Sequence, residues 1–278
     1  MSAKRYLALD IGGTKIEAGL VNGDGAVLKT PHRESARPGC PRDYLLADLD
    51  SALSPFLVES AEGLGVGFPG LLNPVTGVIS QPSRSVFPAL ENFALRVHLE
   101  TEYGVPVETD NDANMYALGV YHFGGGSRYT NVAVLTLGTN LGVGIIQRGH
   151  LERGPDAMPE RARQLLDRWT GWIRHNGGSL KQRYGADGET LYSRARRGDQ
   201  PARSALDALG RDIAETVSKI CRMYSLEAIF LGGGVAKSYE FFYPALEQQL
   251  LTYGVDADVR TVTIPYPALA GAAAMFER

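Results

Sequence analysis

With 278 residues, 44% hydrophobic and 21% charged, the chain has the make-up of a soluble globular protein and is too long for one ordinary core; two α/β bodies of about 100–150 residues each are expected. A net charge of −3 leaves no basic footprint for nucleic acid, and no apolar run is long enough to cross a bilayer. "MSAKRY" leads directly into a strand without the apolar core of a signal peptide, so a cytoplasmic protein is expected, and Cys40 and Cys221 have neither metal nor disulfide spacing.

The N-terminal third reads as strands over 6–9, 15–21 and 26–30, with "NGDG" at 22–25 as the hairpin turn between the second and third. Leu45, Leu46, Leu49, Leu53 and Phe56 recur at helical spacing, and "GLGVGF" returns to a strand. Residues 90–103 read as helix, "VPVE" at 105–108 as strand, and 112–122 as helix again. Two apolar runs, 131–137 and 142–147, are joined by a "GTN" turn. From Met158 to about Tyr224 the pattern is mostly helical; "EAIFLGGGV" is a buried strand entering a glycine turn, and "VRTVTI" precedes an alanine-rich helix from Ala268. "LALDIGGTKIEAGLV" and "AVLTLGTNLGVGII" share one plan, strand, glycine turn with threonine, strand, which suggests a duplicated body.

Several of these turns carry chemistry. In "DIGGTK", Gly12 and Gly13 let backbone N–H groups approach a phosphate, Thr14 adds a hydroxyl and Lys15 a cation, while Asp10 ends the strand where it could hold Mg²⁺ through water. The plainer reading is a glycine-rich hairpin with a solvated lysine. Neither the Walker spacing nor a dinucleotide fingerprint is present. Gly138, Thr139, Gly142 and Gly144 repeat the arrangement in "LGTNLGVG". Between a strand and a helix stand Asp110, Asn111, Asp112 and Asn114; helix capping accounts for one such residue, whereas four suggest a site in which a carboxylate accepts a hydroxyl proton. Gly232, Gly233 and Gly234 would admit a flat ring or ribose, or merely pack a helix. His32, His98, His122, His150 and His175 show no ligand spacing, and no serine sits in a nucleophile elbow.

Taken in order, "LALDIGGTKIEAGLV", "GVGFPGLLNPVTGVI", "VPVETDNDANMYAL", "LTLGTNLGVGIIQRG" and "IFLGGGVAKS" resemble the ROK family of bacterial sugar kinases and repressors, in particular its glucokinase- and N-acetylmannosamine-kinase-like members. The resemblance implies an α/β, two-lobed actin/hexokinase-like ATPase fold, a duplicated ribonuclease H-like body with ATP and a sugar in the cleft. The expected lobes are 1–114 plus 268–278 and a larger 115–267, the latter with a helical insertion at about 158–224. Asp10 would be the metal residue, with Gly12, Gly13, Thr14 and Lys15 forming the first phosphate motif. Gly138, Thr139 and Gly142 would form the second, and Gly232 to Gly234 the adenosine motif. Asp112 matches the catalytic base, Asn111 and Gly70 the sugar side, with Ser83 and Glu160 near two further sugar positions.

The chain also departs from the family pattern. The Gly-Glu-Ile-Gly-His segment and the cysteine zinc site that usually follow the second phosphate motif are missing: the chain reads "RGPDAMPERARQLLDRWTGW" there, and no structural zinc is expected. Asn140 replaces a usual glycine. The resemblance implies an ATP- and Mg²⁺-dependent kinase transferring the γ-phosphate to a hydroxyl, the 6-hydroxyl, of a hexose or N-acetylhexosamine. The alternative is a catalytically degenerate sugar- or nucleotide-binding relative. A homodimer is expected from the resemblance; no nucleic-acid or membrane partner is.

Overall fold

The computed structural model describes residues 4–82, 87–138, 141–159, 161–162 and 177–276. Contacts divide the chain into one unit of residues 1–127, 151–159 and 264–278 and a second of 128–150 and 160–263.

The first unit is built on a five-stranded sheet in the order β3-β2-β1-β4-β7. Strands β1 (Arg5–Ile11) and β2 (Lys15–Asn22) form an antiparallel hairpin whose register runs from Arg5 opposite Asn22 to Ile11 opposite Ile16. Strand β3 (His32–Ser35) pairs antiparallel with β2, and β4 (Leu64–Phe68) and β7 (Val107–Asn111) add on the other side in parallel with β1. A small ribbon, β5 (Gly70–Leu72) with β6 (Ile79–Pro82), follows β4.

The third strand lies at 32–35 rather than at the expected 26–30. Only Val27 bridges β2, at Val21, and Leu28 N–H donates to the Leu20 carbonyl (2.8 Å). Pro31 has no N–H to continue the ladder, so sustained pairing starts after it. The strand expected at 105–108 begins at Val107 and extends to Asn111, which puts Asp110 and Asn111 inside the sheet rather than in a loop.

Leu45, Leu49 and Leu53 of α1 (Arg42–Leu53) and Leu95 and Leu99 of α2 (Leu95–Tyr103) join the apolar cluster formed with Leu9, Ile11, Val66 and Val107. Each fully buried leucine contributes roughly 1.5–3 kcal/mol. The helix α3 (Asp112–Phe123) packs on the C-terminal helix, Pro267–Ala274. A Cβ on Gly119 would lie 1.9 Å from the Pro267 carbonyl oxygen, and one on Gly271 would lie 1.8 Å from that of Met115. Only glycine permits backbones this close. This packing keeps α3 whole within the first unit, where the sequence reading divided it after Asn114 and assigned 115–127 to the other lobe.

The second unit repeats the strand plan in the order β10-β9-β8-β11-β12. Here β8 (Val132–Leu137) and β9 (Leu141–Gln147) form the antiparallel hairpin. Edge strand β10 (His150–Glu152) follows, and β11 (Ala228–Gly232) and β12 (Asp258–Thr261) run parallel on the far side. Around this sheet the chain forms α4 (Gly177–Tyr184), α5 (Gly188–Arg196), α6 (Gln200–Tyr224) and α7 (Tyr239–Thr252); the C-terminal helix of the first unit, 267–274, is α8. Leu206, Leu209, Ile213, Val217 and Ile220 of α6 recur every three or four residues and are all buried, a stripe that faces the core. Asp199 starts that helix by accepting the Ala202 N–H (3.0 Å), and Ser225 ends it in a left-handed conformation (φ 49°). Among the described residues no helix is long and apolar enough to cross a membrane.

Candidate active site

The functional residues of the first unit gather where three parallel strands end. Across β1, β4 and β7 the register sets Asp10 beside Gly67 and Gly67 beside Asp110. The carboxyl ends of parallel strands are where open α/β sheets bind ligands. Gly67 keeps this point uncrowded, because a Cβ would come within 3.2 Å of the Asp112 Cα and would displace the Met115 Cε, 2.6 Å away. With glycine at that point, α3 can start directly beside the strand ends.

Asp112 is the first residue of α3, and Asn111 is its cap, accepting the Ala113 N–H at Oδ1 (3.0 Å). The Asn111 amide also donates to the carbonyls of Gly70 (3.1 Å) and Phe68 (3.4 Å). Two residues expected on the sugar side, Asn111 and Gly70, are thus brought into contact; Gly70 adopts φ +134°, which suits glycine. The Asp112 carboxylate accepts the Ala113 N–H (2.9 Å). Burial pushes its pKa up to about 6, against the pull of the Ala113 N–H and the Asn111 side chain.

Asp10 faces Glu17 in the hairpin register. Its pKa is pushed up to about 7, chiefly by burial, then by the charges of Asp112 and Glu17, while Lys15 pulls it down. In the turn beyond it, the Gly12 N–H is taken by the Lys15 carbonyl (2.8 Å), so Gly13 and Thr14 are the amides this loop can offer a phosphate. Lys15 is half-exposed, its Nζ 3.5 Å from Glu17 Oε2, and Arg33 also pairs with Glu17. Glu17 is therefore a buried acid neutralised by two cations, a role the sequence reading missed.

Asp110 is wholly buried. Its Oδ1 accepts the Asn111 N–H and the Asn114 amide (both 2.7 Å), and its Oδ2 accepts Arg153 Nη1 (2.5 Å). Burial raises its pKa; the Asn114, Arg153 and Asn111 donors oppose that shift. Arg153 went unnoticed in the sequence, where nothing local links it to a carboxylate 43 positions earlier.

The second unit arranges its own glycines in the same way. Gly142 of β9 and Gly232 of β11 both stand opposite Thr136 of β8, so Gly142 lies within a strand and not in the turn. Gly233 has φ +86°, and a Cβ there would meet the Leu137 carbonyl oxygen at 2.5 Å. Nothing lies within 4 Å of a Cβ built on Gly234, which leaves space beside the end of β11. Gly138 ends the β8 side of the turn. Ser83, Thr139, Asn140 and Glu160 lie outside the described residues. A cavity of about 590 Å³ elsewhere in the first unit, lined by Lys29, Phe123 and Tyr266 among others, includes none of the expected site residues.

Among the described residues no cluster of three or more His, Cys, Asp or Glu side chains forms a metal cage. Mg²⁺ does not need one: it keeps several waters and binds through one or two carboxylates plus substrate phosphates. Asp10 fits that donor set, as a half-buried carboxylate at a strand end beside the turn that offers the Gly13 and Thr14 amides.

The family model of the ROK family matches residues 6–161 and 165–275. A glucokinase of Thermotoga maritima is 25% identical over 297 aligned positions, covering 95% of this chain and 92% of that protein. A β-glucoside kinase of Klebsiella pneumoniae is 27% identical over 280 positions, covering 93% and 91%. The crystal structure of a ROK family glucokinase from Streptomyces griseus, in complex with glucose and AMPPNP, has a TM-score of 0.84 at 23% identity, covering 97% of this chain and 98% of that one. The fold is thus the α/β actin/hexokinase-like fold. The family model spans nearly the entire sequence and the five motifs stand at the ends of β1, β4, β7, β8 and β11, so the chain belongs to the ROK family.

Proposed function

We propose that the chain is an ATP-dependent sugar kinase that transfers the γ-phosphate to a hydroxyl, the 6-hydroxyl, of a hexose or N-acetylhexosamine. The observation that carries this reading is Asp112: a carboxylate at the first position of α3, fixed by its neighbours, with a pKa raised to about 6. A general base works best when its pKa lies near the operating pH, and an ordinary aspartate would be too weak a base. The named activities of the glucokinase and β-glucoside kinase relatives support the same class.

In this reading the acceptor hydroxyl gives its proton to Asp112 as its oxygen attacks the γ-phosphorus in line, and ADP leaves. Asn111 holds Asp112 and the Gly70 turn in one piece, so base and acceptor side keep a common reference. Gly13 and Thr14 supply amide donors to phosphate oxygens, and Gly234 leaves room for adenosine. Mg²⁺, held by Asp10, would neutralise charge on the phosphates.

A second reading, a relative that binds without turnover, is favoured by the missing Gly-Glu-Ile-Gly-His segment. ADP release measured with ATP and Mg²⁺ across glucose, mannose, N-acetylglucosamine, N-acetylmannosamine and cellobiose separates the two. Turnover with one sugar, lost by roughly 10²–10⁴-fold in Asp112→Asn, supports the kinase. No release above background with any of the five would favour the second reading.

A further inference from the structure

Asp110 stands two positions before Asp112, in the strand that delivers it, yet its carboxylate points away from solvent and is fully engaged. Three donors converge on it: the Asn111 N–H, the Asn114 amide and Arg153 Nη1. The Asn114 amide also donates to the Ala157 carbonyl at 2.6 Å, so one of its N–H groups secures Asp110 within the β7–α3 junction while the other ties that junction to the segment 153–158. That segment is a tight turn. Gly154 N–H donates to the Met158 carbonyl (2.9 Å), Ala157 N–H to the Gly154 carbonyl (3.2 Å), and Ala157, wholly buried, takes a left-handed conformation (φ 69°) that a non-glycine residue adopts only when its surroundings impose it. The segment is therefore held at both ends, by Arg153 on Asp110 and by the Ala157 carbonyl on Asn114.

We propose that Arg153, Asp110 and Asn114 form a positioning brace that sets segment 153–158 against the Asp112-bearing junction and so controls how the acceptor sugar is held. The proposal rests on the sugar-kinase reading above. A buried ion pair contributes little stability that apolar side chains could not replace, but it is directional: Arg153 Nη1 and the two Asn114 amide hydrogens are each aimed at one acceptor. The segment runs on in sequence to Glu160, the residue that the resemblance assigns to the sugar. Where the family's Gly-Glu-Ile-Gly-His residues are missing, the brace supplies an alternative means of fixing this side of the site.

The test compares Arg153→Ala, Asp110→Asn, the double variant and Arg153→Lys, which keeps the charge but loses the planar guanidinium that aims Nη1 at Asp110. The readouts are steady-state kinetics with the panel sugar that the wild type phosphorylates, and amide hydrogen exchange. The expected result is a sugar KM raised roughly tenfold or more in Arg153→Ala with the ATP KM within about twofold, since small misplacements at a site are costly. The double variant should be no worse than the worse single, and Arg153→Lys should recover part of the loss. The amides of Gly154 and Ala157 should exchange roughly tenfold faster in Arg153→Ala while β1 keeps its protection. Equal shifts in both KM values, additive losses, or unchanged exchange at 154–157 would overturn the brace. Should the wild type phosphorylate no sugar, the kinase reading fails by itself. Exchange then decides the brace alone: faster exchange upholds it, and wild-type exchange overturns it.

Discussion

Asp10 lies within the field of Asp112: after burial, the Asp112 charge is the largest cause pushing the Asp10 carboxyl up to about 7. Both acids thus titrate above the ordinary aspartate range, Asp112 at about 6 and Asp10 at about 7.

The first expected outcome is an acid limb in the pH profile of kcat/KM. Activity requires Asp112 deprotonated, so the rate should rise with pH through about 6 and approach its plateau above about 7. Raising Mg²⁺ should move the limb to lower pH, because a cation beside Asp10 also acts on nearby Asp112 and favours its charged form. A limb near the ordinary aspartate range would show that burial does not raise the pKa of the base as the site requires.

Stability should run the opposite way from activity. The folded-state pKa of Asp112 lies above its ordinary value of 3.8, so between that value and about 6 the folded protein binds more protons than the unfolded chain. Its favourable contribution is complete below 3.8 and is lost as pH rises through about 6. Asp112→Asn, which has no proton to lose, should therefore melt at a higher temperature than the wild type at pH 8, with the gap closing by pH 4. Calorimetry at the two pH values checks this, and a variant less stable at pH 8 would contradict it.

The crossing of α3 with α8 leaves no room for a methyl group. Gly119→Ala places a Cβ 1.9 Å from the Pro267 carbonyl oxygen, so one of the helices must move. The cost expected for overpacking of this kind is about 1–3 kcal/mol, or more. A shift of the urea midpoint to lower concentration measures it; an unchanged midpoint would show that the helices separate freely.

Asn111 has two separable roles. Asn111→Ala removes both the cap of α3 and the donors to Gly70, and the cap alone is worth about 1 kcal/mol. Asn111→Asp keeps an oxygen for the Ala113 N–H and loses only the amide donors. Thermal melting should therefore fall in the alanine variant and largely recover in the aspartate variant. Sugar KM should rise in both if Gly70 faces the sugar. Recovery of sugar KM with the aspartate would assign Asn111 to the cap alone.

The sequence made the hairpins legible because their signals are local. In "LALDIGGTK" and "LTLGTN" an apolar run stops at glycine, and the same order of residues recurs; the structure has an antiparallel hairpin at both places and the same strand order in both sheets. Asp10 and Asp112 stood out for the same reason, as polar residues at the end of a strand or the start of a helix. The error at 26–30 was also local in origin, since β-forming residues there read as a strand while Pro31 and the pairing at 32–35 decide where the ladder runs.

Composition and local pattern thus determined the α/β class and the positions of the glycine turns, and narrowed the base to the polar group at 110–114; the resemblance to the family, not the pattern, singled out Asp112. Tertiary structure decided which unit holds α3, how Asn111 meets Gly70, and that Arg153 neutralises Asp110. Those depend on contacts between residues far apart in the chain, 41 and 43 positions for the two hydrogen-bonded pairs and more for α3 with α8, and on backbone distances that only glycine allows. Local propensity carries no information about such contacts; their partners are chosen by burial, which exists only once the sheet and its helices have packed.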